Sequence, residues 1–226
     1  MSGEELPGWT PRPRPERRVH AGRYCRLEPL DAARHGDDLF AAASDGAAAE
    51  RMRFIPDEAP ASREAFEPWL RYAEASADPL FFAVIVGERA VGRLSLMRIE
   101  PAHGVIETGH LHFGPALQRT PAATEAVYLL ARHVFDELGY RRFEWKCNDL
   151  NEPSKRAALR LGFTAEGVFR QHMVVKGRSR DTAWFSLLDR EWPRARAAFE
   201  AWLDPSNFDE RGRQRASLAA LRDNAP

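Results

Sequence analysis

The pattern of apolar and polar positions changes period along the chain, and each change marks an element. Residues 1–18 hold four prolines and four arginines with no periodicity, which predicts an extended arm outside any core. Val19 to Pro29 then reads as a first strand. Asp31 caps a helix with Leu39, Phe40 and Ala43 on one face, and Ser62 opens a second with Phe66, Trp69, Leu70 and Tyr72. Leu80 to Val86 and Ala90 to Ile99, joined at Gly87-Glu88-Arg89, predict a hairpin, and Val105 to Phe113 a third strand after the turn at 101–104. Ala123, Val127, Leu130, Val134 and Leu138 predict the strongest helix, 122–138, with Gly139 as its stop. Phe143 to Cys147 alternates as a short strand, and Asn151 caps a helix to Leu161 with Pro153 in its first turn. Two strands, Phe163 to Val175 and Ser179 to Leu188, precede a helix from Glu191 to Leu203. The remainder, 204–226, reads as a polar tail with a short helix near 209–222. This order predicts one mixed α/β (α+β) domain over residues 19–203, built around a single sheet.

Composition narrows the function. The 226 residues carry 33 Lys+Arg against 33 Asp+Glu, and this neutrality argues against a nucleic-acid or anionic-membrane binder. The two cysteines, Cys25 and Cys147, are too few for a disulfide framework or a zinc site. No leader-like apolar stretch opens the chain and no run reaches the roughly 18 apolar residues of a membrane span, so a soluble cytoplasmic protein is expected. Phosphate-loop, dinucleotide-fold and nucleophile-elbow motifs are missing from the sequence.

The informative segment runs from Ile106 to Gly167. A strand ends in Phe113-Gly114-Pro115, the loop Leu117-Gln118-Arg119-Thr120-Pro121-Ala122-Ala123 follows, and then the strongest helix begins. Such a unit converges backbone N–H groups on a point that suits a phosphate. Taken one by one, some of the residues keep two roles open. Glu107 reads by itself as a carboxylate bonded within the sheet. Two positions apart on a regular strand, His110 and His112 point the same way, lining a cleft or packing; with no second His or Cys pair, metal binding is not expected. Asn151 is sufficiently explained as a helix cap, and Cys147 as a buried strand residue. Arg51 and Arg53 belong to a solvated loop, or pair with a carboxylate on a substrate.

In order, Ile106-Glu107-Thr108-Gly109, the stretch Gln118 to Glu125, Asn151-x-x-Ser154 and the ending Leu161-Gly162-Phe163-x-x-Glu166-Gly167 resemble the GNAT acyl-CoA N-acyltransferases, most closely the RimJ/RimL-like branch. The resemblance spans about residues 20–190. It implies a mixed, mostly antiparallel sheet with a V-shaped split between two central strands, flanked by helices. It also implies acetyl-CoA as co-substrate, and an amine that attacks the thioester directly. Carried onto this chain, the resemblance puts the pyrophosphate at Gln118, Arg119, Thr120, Ala122 and Ala123, and further CoA contacts at His112, Phe113 and Asn151. Glu107 would be the base and Ser154 the acid beside the CoA sulfur. His110, Arg51 and Arg53 would face the acceptor, a small-molecule or protein amine. Two departures stand out: Pro121 replaces the family's usual glycine and supplies no N–H, and Ala158 stands where much of the family has its acidic Tyr. Succinyl-CoA or another acyl-CoA as donor, and a non-catalytic CoA-binding or interaction module, are the alternatives. The family also allows a homodimer.

Overall fold

Local capping chemistry sets where the helices begin in the computed structural model, which describes residues 3 and 5–224. The ends of the arm and tail, residues 1, 2, 4, 225 and 226, lie outside the described residues. Asp31 accepts the Arg34 N–H at 2.8 Å and starts α1, Ala32–Ala43. A short helix absent from the sequence-based expectation follows as α2, Ala48–Arg51. Ser62 accepts the Ala65 N–H at 3.1 Å and starts α3, Arg63–Ala75. Thr120 caps Ala123 at 3.3 Å to open α4, Pro121–Arg132, with Pro121 at the first position, where a missing N–H costs nothing. The apolar register of that helix persists through a π turn, His133–Glu137, before Gly139 ends it. Asn151 caps α5, Glu152–Arg160; α6 is Trp192–Leu203 and α7 is Leu218–Asp223. Among the described residues no helix is long and apolar enough to cross a membrane.

Eight strands form one sheet: β1 His20–Ala21, β2 Arg26–Pro29, β3 Leu80–Val86, β4 Arg89–Glu100, β5 Val105–Phe113, β6 Arg142–Asn148, β7 Thr164–Val175 and β8 Arg178–Leu188. Their spatial order is β1-β2-β3-β4-β5-β6-β8-β7, and only the β5–β6 pair is parallel. The stretch expected as one strand, 19–29, is instead folded back on itself, with His20 opposite Leu27. A carboxylate distant in sequence makes that turn. Glu125 of α4 accepts the N–H groups of Arg23, Tyr24 and Cys25 at 2.8, 2.6 and 2.8 Å. Gly22 is required there, because a Cβ would sit 2.4 Å from the Glu125 carboxylate.

Period-two alternation gives the sheet two apolar faces. Phe81, Ala83, Ile85 and Ala90 pack against α1 and α3. Phe82, Val84, Leu94, Leu96, Phe143, Trp145 and Phe185 pack against α4 and α6. The arm and tail are both docked. The Trp9 indole donates to the Ala102 carbonyl at 2.9 Å, with the Arg12 guanidinium 4.3 Å from its ring. The tail is less polar in its role than its composition suggests. Leu218 is buried, and Asn207 donates to the carbonyls of Trp202 and Ala216.

Topology positions the site through one feature. Val105–Thr108 pair with Arg142–Trp145, but beyond Thr108 the parallel strands part. The rest of β5 pairs only with β4, and Lys146–Asn148 pair only with β8. A gap therefore opens in the middle of the sheet.

Candidate active site

The lip of the gap on β5 is irregular. Arg93 pairs with His112 and Ser95 with Gly109, so β5 has one residue more than β4 over this stretch, a β-bulge. His110 takes φ 49°, and neither it nor Leu111 has a partner in the β4 register. This corrects the regular strand expected at that pair. The bulge, rather than alternation, sets where the imidazole at 110 goes. The His110 ring lies 5.1 Å from that of Phe81, with Nδ1 3.6 Å from Asp57 Oδ2.

Asp57 anchors the loop between α2 and α3 to this face. It holds the fully buried Arg93 at 2.5 Å and accepts from the Trp69 indole at 3.2 Å, while Arg93 lies 3.8 Å over the Trp69 ring. His112 is buried on the same side. Burial, then Arg93 and Arg51, push its pKa down to about 3, so it is a neutral imidazole at pH 7. Its neighbours Leu111 and Phe113 pack toward the α4 face instead. From the far edge, Lys176 at the β7–β8 turn reaches the Met52 carbonyl at 3.0 Å and Glu58 at 3.3 Å. Hairpin and loop thus meet across this side of the sheet and roof it.

Under that roof lies a ladder of charges. Lys146 is 3.0 Å from Glu107, 2.7 Å from Glu144, and 3.7 Å over the Trp184 ring. Arg98 approaches Glu107 at 3.3 Å, and Arg142 joins Glu144 to Glu166. Glu107 is 4% exposed, and burial pushes its carboxyl above the ordinary value of 4.5 against the pull of Lys146 and Arg98. Sequence reasoning passed over Lys146, although the alternation of Phe143, Trp145 and Cys147 already places Glu144 and Lys146 on the opposite face.

The α4 side of the gap has a different character. After β5, Gln118 donates to the Phe113 carbonyl at 3.0 Å, Arg119 takes φ 61°, and the Thr120 hydroxyl donates to the Leu117 carbonyl at 2.7 Å. Thr120 already satisfies the Ala123 N–H. The N–H groups of Arg119 and Ala122 have no protein acceptor among the described residues. These two unpartnered donors at a helix start fit a pyrophosphate without a contribution from position 121. On the other jaw, Asn151 holds the Ser154 N–H at 3.2 Å, and the Trp145 indole donates to Ser154 Oγ at 3.0 Å. Burial pushes the neighbouring Cys147 thiol up, which makes it a poor nucleophile.

The expected residues thus divide into groups. Phe113 to Ala123 form one jaw on the α4 side, and Asn151 and Ser154 form the other. Glu107, His110 and His112 lie on the opposite, roofed side. Arg51 is committed to Asp45 at 2.7 and 2.8 Å, whereas Arg53 is exposed beside Phe54 and Glu50. Among the described residues no cluster of three or more His, Cys, Asp or Glu side chains could hold a metal.

A sheet split between parallel strands, with unpaired amides at a helix start on one jaw, makes a cleft suited to an extended ligand that carries a phosphate. The acetyltransferase (GNAT) domain model matches residues 25–164. A GCN5-related N-acetyltransferase from Brucella melitensis superposes with a TM-score of 0.96 at 57% identity, over 96% of this chain and 100% of that one. An uncharacterized N-acetyltransferase, p20, of Bacillus licheniformis is 33% identical over 117 residues, 49% of this chain and 63% of that protein. The ribosomal-protein-serine acetyltransferase of Escherichia coli (strain K12) is 31% identical over 90 residues, 40% of this chain and 50% of that protein. The chain belongs to the GNAT acetyltransferase family, and the last of these relatives agrees with the RimJ/RimL-like branch.

Proposed function

We propose that the chain moves an acetyl group from acetyl-CoA to a primary amine, with a protein α-amino group as the favoured acceptor. The observation that carries this reading is the gap beyond Thr108, with unpartnered Arg119 and Ala122 amides on one jaw and Ser154 on the other. Acetyl-CoA supplies an activated acetyl thioester. Arg119 and Ala122 hold its pyrophosphate, and Asn151 and Phe113 border its pantetheine arm. The peptide edge of 110–113 that faces the gap stabilises the developing oxyanion. Glu107, its pKa raised by burial, takes the ammonium proton through water. Ser154 returns a proton to the departing thiolate. The indole N–H of Trp145 occupies an acceptor site of Oγ, which leaves the hydroxyl hydrogen free to point toward the sulfur.

A relative's name points to a protein acceptor, and amine basicity points to an α-amino group over a lysine. The relative from Escherichia coli is named for acetylating a ribosomal protein. An α-amino group, with a pKa of about 8, is also more often neutral at pH 7 than a lysine near about 10.4. Thiol release from acetyl-CoA, followed with Ser-initiated peptides, internal-lysine peptides and small amines, tests the reading. Turnover is expected to be fastest with free α-amino peptides. Release no faster than the solvent blank with every acceptor would refute it.

A further inference from the structure

Arg180 is the one arginine under the roof whose burial has no visible return. It is 9% exposed, its Nε is sealed from solvent without a hydrogen-bond partner, and among the described residues it makes no ion pair. Every other cation of the roofed face, Arg93, Arg98, Arg142, Lys146 and Lys176, has a carboxylate. A guanidinium nine-tenths buried, with its Nε unsatisfied and no ion pair, is costly, and native structures keep such a group where something absent completes it. Burial accordingly depresses its pKa.

Strand geometry says where that something would sit. Arg180 precedes Thr182 and Trp184 at period two on β8, and the Trp184 ring is the one that Lys146 covers. It shares their face and therefore that of Glu107. β6 ends at Asn148, opposite Thr182, so no β6 residue stands between Arg180 and the gap. The ionisable groups close enough to act on it are Cys147, Glu107 and Arg98. Arg180 therefore lies on the roofed face, just beyond the end of β6 and on the side where β5 and β6 have parted.

We infer that Arg180 forms a carboxylate subsite within the cleft, and that one of the two substrates carries a carboxylate near its reacting end. This rests on the acyltransferase reading and goes beyond it in one substrate: the donor is then a dicarboxylic acyl-CoA in place of acetyl-CoA, or the acceptor an amine that bears its own carboxylate. The carboxylate comes either from a dicarboxylic acyl group on CoA or from the acceptor amine. A planar fork of donors matches that group bidentately.

The test uses the full chain and its Arg180→Met variant. Binding of acetyl-CoA and succinyl-CoA is measured by titration calorimetry, and turnover is compared for an amino acid and its decarboxylated amine. In one of the two comparisons the wild type should prefer the carboxylate-bearing member by about 10- to 100-fold, the scale of a charge-assisted hydrogen bond. Arg180→Met should reduce that ratio to near parity. The free variant should unfold no lower than wild type, because an unpaired buried charge has been removed. Should Arg180→Met not fold, Arg180 is a structural residue unless Arg180→Lys, which keeps the charge and loses the fork, folds and loses most of the preference. No preference in the wild type, or a preference that survives both variants, overturns the subsite while CoA binding stands. If neither acyl-CoA binds the wild type, the acyltransferase reading and the subsite fall together.

Discussion

Removing one amine should expose how the centre of the sheet is held. Lys146 sits between two carboxylates that face each other in register, Glu107 on β5 and Glu144 on β6, and all three side chains are less than 10% exposed. Lys146→Met leaves both acids without their shared cation. Breaking a buried ionic group costs about 3–5 kcal/mol. Here Arg98 remains on Glu107 at 3.3 Å and Arg142 on Glu144 at 2.7 Å, which argues for the lower end, about 3 kcal/mol. At about 2–4 °C per kcal/mol for this size, Tm at pH 7 should fall by roughly 6–12 °C. The sign of the pH dependence separates this from lost packing over Trp184, which is insensitive to pH. In the variant the Glu107 carboxyl, already raised by burial and now without Lys146, takes a folded pKa further above its unfolded one. A raised folded pKa gives stability that is complete below the unfolded pKa and is lost as pH rises through the folded one. The deficit against wild type should therefore be largest near pH 7 and shrink toward pH 5. Thermal unfolding of both proteins across that range is the assay. A Tm loss under about 2 °C, or a deficit equal at both ends, would refute the reasoning.

Three further outcomes are expected. Ser154→Ala should reduce kcat by about 10²-fold or more, while the dissociation constant for CoA, read by calorimetry, moves far less. Glu107→Gln should remove the acidic limb of the kcat/KM profile, a limb that in wild type lies above 4.5 because the Glu107 pKa is raised by burial; an identical limb in the variant leaves Glu107 structural. His20 and His133 are buried neutral, with pKa values lowered from 6.5 to about 4 and about 3, mainly by burial. Their stabilising effect is complete above 6.5 and lost as pH falls toward the folded values, so Tm should drop between pH 6.5 and 4.5. His20→Phe should flatten that slope.

What could be read in the sequence follows the range of the interactions involved. Asp31, Ser62 and Asn151 cap helices through bonds to N–H groups three residues away, and such bonds are visible in a short window. The gap was reached only through resemblance, because nothing within Ile106–Phe113 or Phe143–Cys147 tells a reader that the two strands part after Thr108. The fold of residues 19–29 depends on Glu125, about 100 positions away. Period-two logic set His110 and His112 on one side, as found, but could not show that one extra residue in β5 brings them to the side of Glu107. The charge ladder needs β5, β6, β8 and β7 assembled in that order before its members meet, so Glu107 and Glu144 were legible singly and Lys146 as their shared cation was not. Arg51 was legible as a cation but not as one already committed to Asp45.

Acyl-CoA binding in the split sheet is the central claim, and thermal unfolding of the full chain with and without CoA and acetyl-CoA tests it most directly. A ligand at 100 times its dissociation constant adds about 2.7 kcal/mol. At about 2–4 °C per kcal/mol, Tm should rise by roughly 5–10 °C with either compound. An unchanged Tm with both at millimolar concentration would contradict the claim.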